Sequence, residues 1–154
     1  MKTILVDALG TFVIEGLSIY QPLFELLEGY PNQKIILSNA NDEQLVEYEI
    51  VDMPYEVFTL KHNPDKDNPE YFKKMLRHFN LNVSDVIYFE HSLDAVKSAE
   101  SLGITSHFYD ADKKDMESLK NFIDKNIWCL IPLGFAVSPF DKGEQGAFYF
   151  SKVV

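Results

Sequence analysis

Polar side chains that can take part in chemistry follow the apolar runs of this sequence. Asp7 and Ser38 close two such runs, Glu90 and His91 follow a third, and Lys66 lies in a loop after another. A carboxylate can act as a nucleophile, a hydroxyl can donate a hydrogen bond, and an ammonium can stabilise negative charge. These groups can work together only if the fold brings the ends of the runs to one place.

The apolar runs alternate with helical patterns through most of the chain. Strands are predicted at 3–7, 34–38, 55–60, 85–89 and 104–109, and helices at 18–28, 39–49, 69–78, 92–102 and 112–124. Ser18 is expected to cap the first helix, Pro69 to lie in the first turn of the third, and Gly103 to end the fourth.

Near-continuous apolar strands, each followed by a helix, predict an α/β domain of three layers with a Rossmann-like, five-stranded and mainly parallel sheet. Ligands of such sheets bind at the carboxyl ends of the strands, near the point where the strand order reverses. The polar side chains that follow the strands are therefore expected to meet at this edge.

The composition of the chain indicates which binding partners and which cellular compartment to expect. The chain has 154 residues, and Asp+Glu 24 against Lys+Arg 14 give a net charge of −10, which disfavours nucleic acid and a polybasic membrane contact. The single cysteine, Cys129, cannot form an internal disulfide and indicates a reducing compartment. The longest apolar run, residues 127–137, is shorter than the roughly 20 residues that span a bilayer. We expect a cytoplasmic protein without a membrane segment.

The negative charge is confined to residues 1–126, because the charged residues of 127–154 cancel. That last segment holds six of the 21 aromatic residues, which are Trp128, Phe135, Phe140, Phe148, Tyr149 and Phe150. We predict an α/β domain over 1–126 and an aromatic-rich β extension of the same domain over 127–154, hairpin-like with a loop at 139–143. Its edges would extend the sheet, pack over a face, or meet another chain, for example in a homodimer.

Four segments resemble, in order, the motifs of the haloacid dehalogenase superfamily of hydrolases and phosphatases. The first resembles the strand-end motif Asp-x-Asp-Gly-Thr, the second a strand ending in Ser or Thr, the third Lys-Pro-x-Pro-x-x-Phe, and the fourth Glu-Asp-Ser before an alanine-rich helix. These segments are 6–12, 37–39, 66–72 and 89–104. The resemblance covers about residues 3–110 and implies the haloacid dehalogenase-like form of the three-layer fold.

The resemblance implies a role for each matching residue. Asp7 would be the nucleophile that forms a covalent aspartyl intermediate, Ser38 would donate a hydrogen bond to a phosphoryl oxygen, and Lys66 would stabilise negative charge. The corresponding substrate-binding residues are Gly10, Thr11 and Asn39.

The residues themselves leave alternatives open. Asp7 alone is compatible with a cap at a strand end, and Ser38 or Asn39 with a cap on the following helix. Lys61 competes with Lys66, since it lies nearer the end of its strand.

The resemblance also implies a magnesium ion and a phosphorylated substrate, with metal ligands at Asp7, the backbone carbonyl of Leu9, Glu90, His91 and Asp94. Two of these positions depart from the family pattern. Leu9 replaces the second aspartate, the general acid/base of the phosphatases, and cannot move a proton. His91 replaces a metal-binding aspartate, and because magnesium prefers oxygen ligands, the site is expected to be weakened.

Glu90 and Asp94 lie four positions apart at the start of a predicted helix and offer an alternative pair of carboxylates. Equally, they are compatible with favourable charge at a helix N-terminus. Residues 13–33 hold only one predicted helix between the first two motifs, so the resemblance is to a minimal-cap member with an open site.

Three functions remain as hypotheses. The first is a phosphatase-type hydrolase that acts through Asp7 with an impaired metal site. The second is a catalytically silent binding or regulatory module, and the third is an interaction protein that works through the aromatic segment. Dehalogenation is disfavoured: although the first motif resembles the Asp-Ala-Tyr-Gly-Thr of the true dehalogenases, the chain has only Arg77 to hold a substrate carboxylate.

Overall fold

The computed structural model describes residues 1–16, 18–128, 135–136 and 151–152. The strands are β1 (Thr3–Asp7), β2 (Val13–Ile14), β3 (Ser18–Ile19), β4 (Lys34–Ser38), β5 (Glu56–Thr59), β6 (Val86–Glu90), β7 (Thr105–Phe108), β8 (Phe135–Ala136) and β9 (Ser151–Lys152). The helices are α1 (Gln21–Glu28), α2 (Asp42–Glu47), α3 (Pro69–His78), α4 (Leu93–Glu100) and α5 (Met116–Asn126), with a 3₁₀ turn at Val83–Asp85.

Five strands form one sheet in the order β5-β4-β1-β6-β7, and every pair in it is parallel. In the register, Val6 of β1 lies beside Ile36 of β4 on one side and Phe89 of β6 on the other. The chain moves outward from β1 first through β4 and β5 and then through β6 and β7. The order therefore reverses at β1, and the predicted five-stranded parallel sheet is confirmed.

Helices cover both faces of this sheet. On one face, the buried side chains of α1 and α5, such as Leu23 and Ile123, pack with Ile4 and Val6 of β1. On the other face, the aromatic side chains of α3 and Ala99 of α4 pack on residues of β1, β4 and β6. Alternate strand residues thus enter two separate cores, which explains why the strands are apolar on both sides. The predicted three-layer α/β architecture is confirmed.

The segment after β1 differs from the sequence-based expectation. Ser18 was expected to cap a helix over 18–28, but it lies in β3, opposite Ile14 of β2, with φ 61°. Helix α1 begins later, with Tyr20 at its N-cap position and no side-chain cap hydrogen bond. Pro22 lies in the first turn of α1, where its missing N–H costs nothing, and so favours this later start. The cap prediction for Ser18 was wrong.

The start of the second helix also differs. Neither Ser38 nor Asn39 caps it, because α2 is shorter than predicted and begins after Asn41. The Asn41 side chain accepts a hydrogen bond from Gln44 N (2.9 Å), and the Gln44 side chain accepts one from Asn41 N (3.0 Å). This reciprocal pair satisfies two backbone donors at the helix start. Ser38 and Asn39 are left available for other contacts.

The structure describes the aromatic-rich extension at Ile127, Trp128 and its two short strands. Strands β8 and β9 pair antiparallel, with Phe135 opposite Lys152, as the hairpin-like prediction requires. The loop at 139–143, Cys129 and the aromatic residues beyond Phe135 lie outside the described residues. The homodimer and the division at residue 126 stay predictions. None of the helices in the described ranges has the length and apolar character needed to cross a membrane.

Candidate active site

Asp7 lies at the carboxyl end of the central strand and is 1% exposed. The chain then turns tightly, because the N–H groups of Phe12 and Val13 both donate to Ala8 O (2.9 Å each). This turn brings Thr11 back over the strand end, where its hydroxyl donates to Asp7 Oδ2 (2.6 Å). The hydrogen bond from Thr11 therefore orients the Asp7 carboxylate.

Lys66 reaches Asp7 from the loop between β5 and α3. Its backbone N–H donates to Asn39 Oδ1 (2.8 Å), which ties the loop to the end of β4. Its ammonium donates to Asp7 Oδ1 (2.5 Å) and to Glu90 Oε2 (2.7 Å), and the side chain is only 8% exposed. Lys61, the competing lysine, forms an ion pair with Asp42 (2.8 Å) at the surface instead.

Glu90, the last residue of β6, is fully buried. Its Oε2 accepts hydrogen bonds from the Lys66 ammonium and from the Tyr88 hydroxyl (2.5 Å). Its Oε1 accepts one from Ser92 N (2.9 Å). Each oxygen of this buried carboxylate is therefore paired, as a charge in the interior requires.

His91 closes the other side of the cluster. Its Nδ1 lies 2.6 Å from Asp7 Oδ2 and 3.1 Å from Glu90 Oε1. The ring also rests on the backbone of Gly10, which has φ 84°, and a Cβ at that position would come within 3.0 Å of His91 Cε1. The left-handed backbone at Gly10 and its missing side chain thus provide the space for the imidazole.

These contacts shift the pKa values of the cluster. Hydrogen bonds to Asp7 and then to Glu90 raise the pKa of His91 to about 10, so the imidazole is protonated at neutral pH. Burial, followed by the charge of Glu90, raises the pKa of Asp7, while Lys66 and His91 act in the opposite direction. Burial acts against charge on Glu90 as well, but the Lys66 ammonium holds the pKa of Glu90 well below its usual range.

The remaining predicted site residues border one cavity of about 450 Å³ at this edge of the sheet, with the exception of Thr11. Thr11 lies buried behind Asp7, and Gly10 uses its N–H on Val13 O (2.8 Å), so neither offers a donor to a ligand there. The Ser38 hydroxyl accepts from Ala40 N (3.1 Å), which leaves its proton free to donate. Asp94 borders the cavity from the first turn of α4 and is exposed.

The expected metal ligands are only partly brought together. Asp7, Glu90 and His91 form a group whose potential ligand atoms lie within 4.8 Å of one another, and among the described residues Asp94 is not part of that group. Lys66 already donates to one oxygen of each carboxylate, and His91 Nδ1 approaches the other. Magnesium favours several oxygen ligands in octahedral geometry. The donor set of this cluster therefore fits magnesium poorly.

Sequence reasoning missed several residues of the site. Tyr88 was counted only as part of a buried strand, although its hydroxyl binds Glu90. His62, which the motifs do not include, also borders the cavity, where it contacts Asp65 (2.8 Å) and Gln44 (2.5 Å). The two-residue spacing of Tyr88 and Glu90 on one face of a strand is the signal that could have found the first contact.

Solved structures provide the comparison for this site. A haloacid dehalogenase family enzyme from Bacteroides thetaiotaomicron, an aspartate-to-alanine mutant in complex with magnesium and inorganic phosphate, superposes with a TM-score of 0.59 and 14% identity. The match covers 77% of this chain and 98% of that one. The chain has the haloacid dehalogenase fold.

A second structure of the same fold supports this conclusion. The core domain of a candidate phosphoglycolate phosphatase from Streptococcus pneumoniae matches with a TM-score of 0.55 and 14% identity over 80% of this chain and 95% of that one. Neither a protein-family model nor a curated protein matches the chain. At this level of identity the likeness establishes the haloacid dehalogenase fold, and the chemistry has to be argued from the site.

The raised pKa of His91 predicts how stability depends on pH. The folded protein holds this proton up to a pH of about 10, whereas the unfolded chain releases it near its ordinary pKa. The stability that His91 contributes is therefore complete below about pH 6.5 and is lost as the pH rises toward about 10. In thermal unfolding, the Tm advantage of the wild type over His91→Asn should shrink across this window, and a constant or growing advantage would contradict the assignment.

Proposed function

We propose that this protein is a phosphohydrolase that transfers a phosphoryl group to Asp7 and then to water. The observation that carries the proposal is the contact of the buried Lys66 ammonium with both Asp7 and Glu90 at the floor of the cavity. This arrangement pairs the buried Asp7 carboxylate with a cation and fixes its direction toward the cavity. Burying an ammonium is costly, and the two carboxylates that contact Lys66 offset this cost.

The reaction proceeds in two steps. In the first, an Asp7 oxygen forms a bond to phosphorus while the bond between phosphorus and the leaving oxygen breaks, giving an aspartyl phosphate. In the second, water attacks the same phosphorus, inorganic phosphate leaves, and the Asp7 carboxylate is restored. Lys66 faces the negative charge that accumulates on the transferring group, and the free proton of Ser38 donates to one of its oxygens.

Leu9 limits this chemistry. It borders the cavity two residues after the nucleophile, where it cannot protonate a departing oxygen. Phosphate esters of alcohols, which leave as strong bases, should consequently react slowly. Substrates that leave without a proton, such as aryl or acyl phosphates, suit the site better.

The cavity is also open to large substrates. Among the described residues between β1 and β4, the chain forms the β2–β3 pair and α1, and α1 packs Leu23 and Leu27 into the core on one face of the sheet. Because α1 packs in this core, it cannot also cover the cavity. We therefore propose that the phosphorylated substrate is bulky. Separately, the single cysteine supports the proposal that the protein is cytoplasmic.

A second candidate function is a binding or regulatory module that holds a phosphoryl group without turning it over. Both Asp7 oxygens are engaged in the structure, Oδ1 by Lys66 and Oδ2 by Thr11 and His91. A carboxylate held in this way attacks only if one of these contacts yields. Steady turnover by the wild type separates the two candidates.

The first test replaces the nucleophile. With an aryl phosphate as substrate, Asp7→Asn should lower kcat by about a thousandfold or more, because the amide cannot form the covalent intermediate. Asp85→Asn is the matched control, since Asp85 lies before β6 at the opposite edge of the sheet. Activity of Asp7→Asn within tenfold of the wild type, with the control unchanged, would exclude the Asp7 mechanism.

The second test restores a proton donor. Leu9→Asp should raise kcat on an alkyl phosphate by about a hundredfold, because it adds a carboxylic acid that can protonate the leaving oxygen. Leu9→Asn has a similar shape but no such acid, so its kcat should stay near the wild-type value. The two variants differ only in acid chemistry, so unfolding or a changed cavity would affect both. An equal response of the two variants would show that the missing acid does not limit the rate.

A further inference from the structure

We infer that the His91 side chain takes the place of a divalent cation between Asp7 and Glu90, so that this site binds its phosphoryl group without magnesium. The inference rests on the proposed function for the identity of the ligand. The exclusion of the metal, however, depends only on contacts within the chain. It replaces the sequence-based expectation of a weakened magnesium site.

The first support is the pairing of all four carboxylate oxygens. Lys66 Nζ lies 2.5 Å from Asp7 Oδ1 and 2.7 Å from Glu90 Oε2. His91 Nδ1 lies 2.6 Å from Asp7 Oδ2 and 3.1 Å from Glu90 Oε1. Lys66 thus bridges Asp7 Oδ1 and Glu90 Oε2, and His91 bridges Asp7 Oδ2 and Glu90 Oε1. A cation added to this set would have to remove one of them.

The second support is steric. A magnesium ion that reached Asp7 Oδ2 and Glu90 Oε1 from the cavity would lie about 2.1 Å from each oxygen. His91 Nδ1 already approaches both atoms from that side, since the ring borders the cavity. The ion and the imidazole would compete for one space.

The third support is the seat that the fold provides for the ring. The imidazole lies against Gly10, so closely that a Cβ there would come within 3.0 to 3.3 Å of three ring atoms. Together with the two carboxylates, this backbone fixes the ring on three sides. Contacts within the chain, at the turn after β1 and at the two carboxylates, therefore set the position of His91.

The fourth support is the second nitrogen of the ring, because Nδ1 is the nitrogen that approaches both carboxylates. In the described part of the chain, His91 Nε2 has no hydrogen-bond partner. With Nδ1 held by Asp7 and Glu90, Nε2 is left to contact a phosphoryl oxygen, to which the imidazolium form of the ring can donate.

The test measures magnesium binding directly, apart from any turnover. Wild-type protein titrated with MgCl₂ in a calorimeter should give no binding at this site and no rise in Tm. His91→Asp removes the ring and adds an oxygen ligand, so it should bind magnesium and gain about 3 to 5 °C in Tm at saturating concentration. If His91→Asp does not fold without metal, His91→Asn supplies a neutral oxygen ligand for the same titration.

Two results would overturn the inference. One is magnesium binding by the wild type that disappears in Asp7→Asn, which would place the ion on the nucleophile despite the ring. The other is an absence of magnesium binding in both His91 variants, which would show that the ring is not what excludes the ion.

Inorganic phosphate distinguishes this inference from the proposed function. Its affinity for the wild type should agree within twofold in EDTA and in MgCl₂, and a requirement for MgCl₂ would overturn the inference. Failure of phosphate to bind under either condition would contradict the proposed function, while the magnesium titrations would still decide the role of His91.

Discussion

The ion pair network around Lys66 is the interaction on which the site depends. A lysine side chain that is 8% exposed lies between the side chains of two acidic residues that are 2% and 0% exposed. Removing one member of such a network leaves an unpaired buried charge, which costs about 3–5 kcal/mol. The network joins three segments that meet only in the folded protein. These are the end of β1, the end of β6 and the loop before α3.

The parallel sheet brings the strand ends of the network together at one edge. Since β1 is central and its neighbours run in the same direction, Asp7, Ser38 and Glu90 come to one edge from strands far apart in sequence. The two cores on either face hold the strands in register, so the directions of these side chains follow from packing remote from the site.

Much of this could be predicted from the sequence, because apolar strands and helical patterns alternate with regular spacing. The residues at the strand ends follow from the same pattern. The local exceptions did not follow: Ser18 lies in a short strand because Pro22 delays the helix, and Asn41 rather than Ser38 or Asn39 caps α2. Such choices depend on single hydrogen bonds whose alternatives differ little in energy.

Contacts between distant segments were harder still to predict. Sequence spacing cannot show that Lys66 rather than Lys61 turns inward, because both lie in one polar loop. Contacts between segments distinguish them, since Lys66 contacts Asn39, Asp7 and Glu90 whereas Lys61 pairs with Asp42. Likewise, His91 after β6 predicted a weakened metal site. The structure instead shows that His91 contacts Asp7 and packs against the turn at Gly10.

The central claim is that Asp7 receives a phosphoryl group in the cluster with Lys66 and Glu90. Rapid acid quenching of the wild type with an aryl phosphate, followed by peptide mass spectrometry, tests it most directly. The account predicts one phosphoryl group on the peptide that contains Asp7, formed equally in EDTA and lost on treatment with hydroxylamine. Turnover without this adduct, or an adduct on another residue, would contradict it.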